Sequence, residues 1–558
     1  MTAGARADAA SEVAGWPSWT LSEPQLADLE LLLSGAFAPL TGFMSAADVA
    51  AVGERGELAD GTPWPFPVTL DVPENAISPD ATRVMLHDPE GTPLAVLDVA
   101  GRSLLPAGAG SGDGSGDRGL IRLDGKVTAH REPEHGPFRR LQLSPAEVRA
   151  QLGGGPVLAF ATRGPLNSRQ IGQLRHLAGQ LKARILLLPL ISGPADVVTR
   201  PEALIRTVLA AAESLPSGTL VVPVPLARRR TGPGHELAAR AAVCAAYGAT
   251  HLFADGAGGA DRPGGAGRAA GRGGRAAGRG GRAAGRGGRA GGQGGGSAAA
   301  DPGTVIPVVS AGDWAYDRVA DVWRPLALIE AGTERAELAP DELADLLDAG
   351  AEVPAWFTPP AVARELISAR PPRSQRGFVL FLTGLSGSGK STIARDLRDA
   401  LAERGDRGVT LLDGDLVRRL LSAGLTFSRA DRDLNILRIG YVAAEIARHG
   451  GIAICAPIAP YAAARARVRE MVTETGDFLL IHVATPVEVC EARDRKGLYA
   501  KARAGVIDHF TGVSDPYEEP ADADLVIDTS AMSRQDATAA VLGLLKSGGW
   551  LSDTEPQA

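Results

Sequence analysis

Gly384-Leu-Ser-Gly-Ser-Gly-Lys-Ser391 satisfies G-x-x-x-x-G-K-[ST] at every position. Before it runs Phe378-Val-Leu-Phe-Leu382, an apolar stretch of the kind that forms a buried parallel strand. After it, Ile393, Leu397 and Leu401 recur every four residues, one face of a helix that Gly405 can close. Strand, glycine-rich turn and helix in that order predict a phosphate loop. The glycines let the backbone wrap an anion closely, and N–H groups at the helix start, aided by its dipole, point at the phosphates. Lys390 is expected to reach the β- and γ-phosphates and Ser391 to ligate Mg²⁺. Residues Gly384, Leu385, Ser386, Gly387, Ser388, Gly389, Lys390, Ser391 and Thr392 together form the expected ATP site.

Working outward, 558 residues leave room for roughly three domains of ~100–200 residues. A hydrophobic fraction of 44% is ordinary for a globular protein, and a net charge of −7 gives no global pull towards nucleic acid or membrane. Cys244, Cys455 and Cys490 are scattered, with neither metal-site nor disulfide spacing. No apolar run reaches the length of a membrane span, and residues 1–15 do not look like a signal peptide. A reducing, cytoplasmic setting is the expectation.

Residues 1–15 are expected to be disordered. From 16 to 148 short alternating runs such as Pro67-Val-Thr-Leu-Asp-Val72 and Thr82-Arg-Val-Met-Leu86 predict a β-rich domain. From 149 to 368 apolar runs at Val157-Leu-Ala-Phe160, Ile185-Leu-Leu-Leu188, Thr219-Leu-Val-Val222 and Thr250-His-Leu-Phe253 alternate with helical stretches such as Glu236 to Tyr247. That alternation predicts a parallel sheet covered by helices. Residues 256–300 interrupt it with a seven-residue Gly/Ala/Arg repeat holding eight arginines from Arg262 to Arg289. Such a composition builds no core and reads as a disordered insertion; an RNA-binding tail would want aromatic residues, which are absent. Residues 369–376 read as a linker, 377–546 as the nucleotide domain and 547–558 as a tail.

The second substrate is read from the segments after the loop. Val409-Thr-Leu-Leu412 predicts the next strand, with Asp413-Gly-Asp415 and Arg418 at its carboxyl end, where ligands of such sheets bind. Asp413 there can orient or deprotonate a hydroxyl, although Asp-Gly is also an ordinary turn pair. Arg432, Asn435 and Arg438 share a helix face that fits either an anion clamp or a solvated surface. The strand Ile452-Ala-Ile-Cys455 ends without an acid, so magnesium would rely on Ser391, phosphates, water and Asp413. Arg493 to Gly512 is rich in charge and fits a mobile lid or a plain surface helix.

Residues 377–546 resemble adenylyl-sulfate kinase. The resemblance rests on the phosphate loop, Leu412-Asp-Gly-Asp415 with Arg418, Phe427-Ser with Arg432 and Asn435, and Ile458-Ala-Pro-Tyr461. It continues through Lys496-Gly-Leu-Tyr-Ala-Lys-Ala-Arg503 and Phe510-Thr-Gly with Asp515-Pro-Tyr-Glu-Glu519. The family phosphorylates the 3′-hydroxyl of adenosine 5′-phosphosulfate with Mg²⁺ and ATP. It implies Asp413 as catalytic carboxylate with Lys390 and Asp415 beside it. It also implies a substrate site of Asp415, Arg418, Phe427, Arg432, Asn435, Ile458, Ala459, Lys496 and Phe510, the two phenylalanines sandwiching the adenine. Many members carry Ser at the position of Ala459; with Ala, no phosphoserine can form there, and direct in-line transfer is implied.

Residues about 16–368 resemble ATP sulfurylase in Gly35-Ala-Phe-Ala-Pro-Leu-Thr-Gly-Phe-Met44, Tyr247-Gly-Ala-Thr-His-Leu-Phe253 and Ala355-Trp-Phe-Thr-Pro-Pro. The resemblance implies an α/β architecture throughout: a PUA-like β-rich domain, a Rossmann-like sulfurylase-type domain, then the P-loop kinase. Where the family has Gln-Thr-Arg-Asn-Pro-x-His-x-x-His, this chain has Ala161-Thr-Arg-Gly-Pro-Leu-Asn-Ser-Arg-Gln170. Asn167 and Gln170 replace the two histidines, and Ala254-Asp-Gly-Ala-Gly258 lacks the family's Arg and His. The expectation is a sulfurylase-like region that no longer catalyses, with a separate sulfurylase as partner; the alternative is a chain that runs both steps. The family also implies a homo-oligomer.

Overall fold

The structure is a computed structural model that describes residues 16–105, 119–131, 138–193, 200–228, 233–255, 305–426, 428–494, 496–507 and 509–552. The arginine–glycine insertion expected at 256–300 and the N-terminal 1–15 lie outside the described residues. By contacts the chain forms two compact units, Met1–Leu338 with Pro354–Glu365, and Ala339–Val353 with Leu366–Ala558.

In the first unit, Ser18–Thr20 (β1), Gly42–Phe43 (β2), Leu70–Pro73 (β3), Arg83–His87 (β4), Pro93–Leu104 (β5) and Leu120–Ala129 (β6) make a six-stranded sheet. Its order is β1-β4-β5-β6-β2, with β3 also on β6; β1 joins β4 in parallel and the other pairs are antiparallel. The helices Glu23–Leu33 (α1) and Ala46–Arg55 (α2) each start at a serine, Ser22 and Ser45, that closes a capping box. In the core of this unit Phe37 meets Trp64 and Phe66 edge to face at 5.8 and 5.4 Å between centroids, and Trp64 and Phe66 lie tilted at 5.0 Å.

Helix Pro145–Leu152 (α3) leads to a fully parallel sheet made by Val157–Thr162 (β7), Arg184–Pro189 (β8), Leu220–Val221 (β9), His251–Phe253 (β10) and Val308–Val309 (β11). The order is β11-β10-β7-β8-β9, with β7 buried along its whole length. Helices Ser168–Leu181 (α4), Pro201–Ala212 (α5) and Pro233–Ala246 (α6) connect these strands, as the alternation predicted. A small antiparallel sheet follows, with Trp314–Asp317 (β12) between Val322–Pro325 (β13) and Glu334–Arg335 (β14). Next in the chain come helices Pro340–Ala349 (α7), which belongs to the second unit, and Pro360–Ala369 (α8).

The C-terminal sheet is wholly parallel, formed by Phe378–Thr383 (β15), Val409–Leu412 (β16), Ile452–Cys455 (β17), Asp477–Val483 (β18) and Leu525–Ile527 (β19). Its order, β16-β17-β15-β18-β19, puts β15 in the middle, and all six of its residues are buried. One face is covered by Lys390–Arg404 (α9) and Arg534–Ser547 (α15), which supply Ile393, Leu397, Leu401, Val541 and Leu545 to the core. The other is covered by Arg429–Arg448 (α11) and Ala462–Thr473 (α12), with Ile436, Ile439, Val468 and Val472 inside. Gly414–Leu420 (α10), Val487–Arg493 (α13) and Leu498–Arg503 (α14) are short helices near the carboxyl ends of the strands. The crossover from β15 leaves towards β16 and that from β17 leaves towards β18, so a crevice opens at the carboxyl end of the sheet's centre.

Within residues 369–376, expected as a linker, three arginines are pinned in this unit. The buried Asp348 carboxylate of α7 takes Arg370 at 2.7 Å, Arg373 at 3.2 Å and Arg376 at 2.5 Å. Arg376 also reaches Asp477, whose other oxygen accepts from the Trp550 indole at 2.7 Å. Leu551 is buried in the core, so the packed structure runs on into the stretch expected as a tail.

Candidate functional site

The phosphate loop takes its shape from positions that no side chain would tolerate. Gly384 and Gly387 have φ of +144° and +78°. A Cβ on Gly384 would lie 2.4 Å from the Val483 carbonyl oxygen. The helix starts at Lys390 and ends against Gly405, as the spacing predicted.

The loop carbonyls are held by protein donors. Lys390 Nζ donates to the Leu385 oxygen at 2.7 Å and to Ser388 Oγ at 3.3 Å. The Tyr499 hydroxyl donates to the Ser386 oxygen at 2.9 Å, and Arg493 reaches the Gly387 oxygen at 3.4 Å. Thr485 and Thr529 hydroxyls donate to the Ser388 oxygen at 3.0 and 2.9 Å. In a trans peptide the carbonyl and the N–H point opposite ways. Holding the Ser386 and Ser388 oxygens therefore aims the N–H groups of Gly387 and Gly389 to the other side, where an anion sits in such loops.

Asp413 follows β16 directly, and its carbonyl accepts from Val417 N in the first turn of α10. A Cβ on Gly414 would lie 3.7 Å from Pro457 Cα, at ordinary contact distance. Arg418 donates to the Thr426 oxygen at 3.3 Å. Phe427 lies outside the described residues, as does the side chain of Asp415.

Ile458 and Ala459 follow β17 in a loop clamped from below. Thr383 Oγ1 donates to the Ile458 oxygen at 2.7 Å and shares a hydrogen bond with the Tyr517 hydroxyl. Arg465, 4% exposed, donates to the Ala459 and Glu518 oxygens at 2.8 and 2.7 Å. Ala459 is left-handed at φ +45°, which costs a non-glycine residue about 1–2 kcal/mol. The Arg465 bond holds it there. Burial keeps His482, stacked beside Tyr517, below its ordinary pKa.

Arg432 is buried and bound to Thr511 Oγ1 at 3.1 Å, Asp515 at 3.0 Å and the His509 carbonyl. Three residues on, Asn435 is buried, and its Oδ1 has no hydrogen-bond partner among the described residues. Arg438, on the same helix face, serves a different end, donating to the Leu421 oxygen. Phe510 is buried against Tyr499, ring centroids 5.0 Å apart at 76°. Lys496 is exposed between α13 and α14. The segment from Arg493 to Gly512, expected as a mobile lid or a plain surface helix, begins at the last residue of one short helix, α13, and contains a second, α14. The Asp494 carboxylate caps the second, accepting from Tyr499 N and Ala500 N.

The loop after β15, Asp413 after β16 and Ile458–Ala459 after β17 thus stand at one end of one sheet. Sequence reasoning missed the groups that hold them: Thr383, Arg465, Thr485, Tyr499, Tyr517 and Thr529. Tyr499 and Tyr517 lie within the family-like runs, but nothing local marks which carbonyl or hydroxyl each meets. No cluster of three or more His, Cys, Asp or Glu that could hold a metal occurs among the described residues. A triphosphate-bound Mg²⁺ needs none, because hydroxyl, phosphate and water oxygens complete its shell; Ser391 and Asp413 are suitable oxygen donors.

In the front unit, the altered loop does a structural job. Asn167 caps α4 by accepting from Gln170 N at 2.9 Å, and Gln170 Oε1 accepts from Asn167 N at 3.0 Å. The buried Arg169 grips Asp255 with two bonds of 2.7 and 2.8 Å and Glu337 at 2.6 Å, while Gln170 donates to Asp255 at 2.7 Å. Arg163 is equally engaged, by Glu236 and by the Ser192 and Leu226 oxygens.

A glycine loop with its carbonyls held outward, between a buried central strand and a helix, defines a P-loop phosphotransferase. The sequence model of adenylylsulphate kinase matches residues 376–528, and that of a PUA-like domain matches 1–102. A sulfate adenylyltransferase of Mycosarcoma maydis is 36% identical over 95% of this chain and 94% of its own length. One from Neurospora crassa is 36% identical over 98% and 96%. The structure titled hexameric APS kinase from Thiobacillus denitrificans covers 99% of this chain and 97% of its own, at TM-score 0.71 and 31% identity. The chain belongs to the family that joins a C-terminal adenylylsulphate kinase domain to an N-terminal region homologous to the bifunctional fungal sulfate adenylyltransferases. Its C-terminal domain carries phosphotransfer activity of the adenylylsulphate-kinase type, in a fold that uses ATP. As far as likeness goes, the relatives' names favour the two-activity arrangement over the silent front region expected from the loop. No described helix is long and apolar enough to cross a membrane.

Proposed function

We propose that residues 377–546 transfer the γ-phosphoryl group of Mg-ATP to the 3′-hydroxyl of adenosine 5′-phosphosulfate. The 3′-oxygen–phosphorus bond forms, the bond to the β-phosphate oxygen breaks, the hydroxyl proton passes to Asp413, and ADP leaves. Lys390 draws charge off the transferring group, and Ser391 would hold the Mg²⁺ that comes with ATP, which would supply further charge neutralisation. Asp415 and Arg418 assist at the sugar, Arg432 and Asn435 bind the phosphosulfate and ribose, and Lys496 covers them. Phe427 and Phe510 stack on the adenine, beside Ile458 and Ala459. The single observation that supports this most is that the phosphate loop, Asp413 and the clamped 458–459 loop follow three neighbouring parallel strands and so stand at one sheet end. Lys390→Ala and Asp413→Asn are each expected to lower turnover at least 100-fold, followed as nucleotide product by chromatography. Near-normal rates in either variant remove that residue's role.

For the front unit, the full-length likeness supports adenylyl transfer from ATP to sulfate as a second activity of the chain. A specific observation favours the other reading, a silent region beside a separate sulfurylase. Arg163 and Arg169 are bound to the chain's own carboxylates, and Asn167 and Gln170 carry no charge to replace the family's histidines. Sulfate-dependent exchange of labelled pyrophosphate into ATP by the full chain decides: exchange above background establishes the second activity, and its absence establishes silence. We also place the protein in a reducing cytoplasm, given three buried free cysteines, and as a homo-oligomer, given the hexameric relative.

A further inference from the structure

Outside the two core layers of the C-terminal sheet there is a third, small apolar cluster. Cys490, Tyr499 and Phe510 are its buried members, and Leu385, Val487, Leu498 and Val513 pack against it. Leu385 is the second residue of the phosphate loop. A Cβ on Gly512 would lie 2.9 Å from Leu385 Cδ2, so the Phe510 loop presses directly on the ATP loop. Tyr499 spans the junction. Its hydroxyl donates to the Ser386 oxygen at 2.9 Å, and its ring meets Phe510 edge to face at 5.0 Å. The side chain is 1% exposed. The same Phe510 loop supplies Thr511 and the His509 carbonyl to Arg432.

We infer that Tyr499 is a positioning residue that couples the two nucleotide sites: filling the phosphate loop sets the Phe510 wall for the adenine of the second substrate. This rests on the kinase reading above. An anion in the loop fixes the Ser386–Gly387 peptide, because its N–H is on the phosphate. The carbonyl of that peptide fixes the Tyr499 hydroxyl, and the Tyr499 ring fixes Phe510. Coupling of this kind is reciprocal: the second nucleotide tightens the first by the same factor.

The test is calorimetric titration of the full chain with adenosine 5′-phosphosulfate, with and without saturating Mg-ADP, which permits no reaction. The unaltered chain is expected to bind about 5-fold tighter or more when Mg-ADP is present. Tyr499→Phe keeps the ring, removes the hydroxyl, and is expected to bring that factor towards one while each ligand still binds. A loss of fold alone would weaken both ligands without touching the ratio. An unchanged ratio in Tyr499→Phe overturns the inference, as does a ratio of one in the unaltered chain. Failure of the unaltered chain to bind adenosine 5′-phosphosulfate at all overturns the kinase reading itself. Hydrogen exchange of the unaltered chain needs no variant. Mg-ADP alone is expected to slow the amides of residues 498–507 and 509–513, and unchanged exchange there also overturns the inference.

Discussion

Asp348 gathers three arginines on one carboxylate. Burial alone would raise its pKa, but Arg370 and Arg376 outweigh burial and hold the carboxyl below its ordinary value of 3.8. The folded state therefore binds this proton less tightly than the unfolded one. The ion pairs contribute fully above the ordinary value, and the contribution disappears as pH falls through the depressed one. Asp348→Asn is expected to lower the unfolding free energy at pH 7 by about 2–4 kcal/mol, somewhat under the value for fully dry pairs. In urea melts the gap to the parent should close in strong acid; a gap independent of pH would refute the electrostatic account. Single residues were unevenly legible. Lys390 announces itself by the spacing of the phosphate loop, whereas Asp413 sits in an Asp-Gly pair that reads equally as a turn, and only the family resemblance gives it a role. Asp348 and its arginines do not announce themselves, because a short acidic helix followed by a basic, proline-bearing stretch reads equally well as two solvated surfaces.

At the scale of elements, β15, the glycine loop and α9 were legible because each has its own local signature and all three agree. The stretch after Arg493 was not. Its described lysines and arginine are exposed on and beside one short helix, and what organises it is one buried tyrosine with a capping aspartate. The front loop shows the opposite case. Its departures from the family pattern were visible, but the capping box that Asn167 and Gln170 build was not inferred, although the residue types and spacing permit it. The loop's outer supports allow a direct trial. Replacing Thr485 and Thr529 together by Val removes both hydroxyls from the Ser388 oxygen. That is expected to raise the KM for ATP about 5–30-fold, the equivalent of about 1–2 kcal/mol of hydrogen bonding. Turnover at saturation should change less, and a KM that does not move would show that the supports are dispensable.

Across the whole molecule, the succession of β-rich, α/β and P-loop parts could be read from changes of hydrophobic period. The contact-based division, which sends residues 339–353 to the C-terminal unit, could not, because it depends on side chains far apart in sequence. One long-range feature of the front unit carries its own pH signature. Burial raises Glu30 of α1 from 4.5 to about 7. The folded state holds that proton more tightly than the unfolded one, so this group favours folding below pH 4.5. It loses that advantage as pH climbs towards 7. Glu30→Gln is expected to be more stable than the parent at pH 8 by about 1–3 kcal/mol and equal to it near pH 4. Thermal melts at the two pH values check this, and a variant less stable at pH 8 would mean that the ionised carboxylate is well accommodated.

The arginine hub has a practical corollary for anyone trimming the gene. Starting an expressed fragment at residue 377, close to where the family match begins, would discard α7 and every guanidinium that Asp348 holds, and would deprive Asp477 of Arg376. A fragment spanning 339–558 keeps the set intact. It should melt higher by about 2–4 °C for each kcal/mol retained, and equal melting of the two fragments would show the hub to be ornamental.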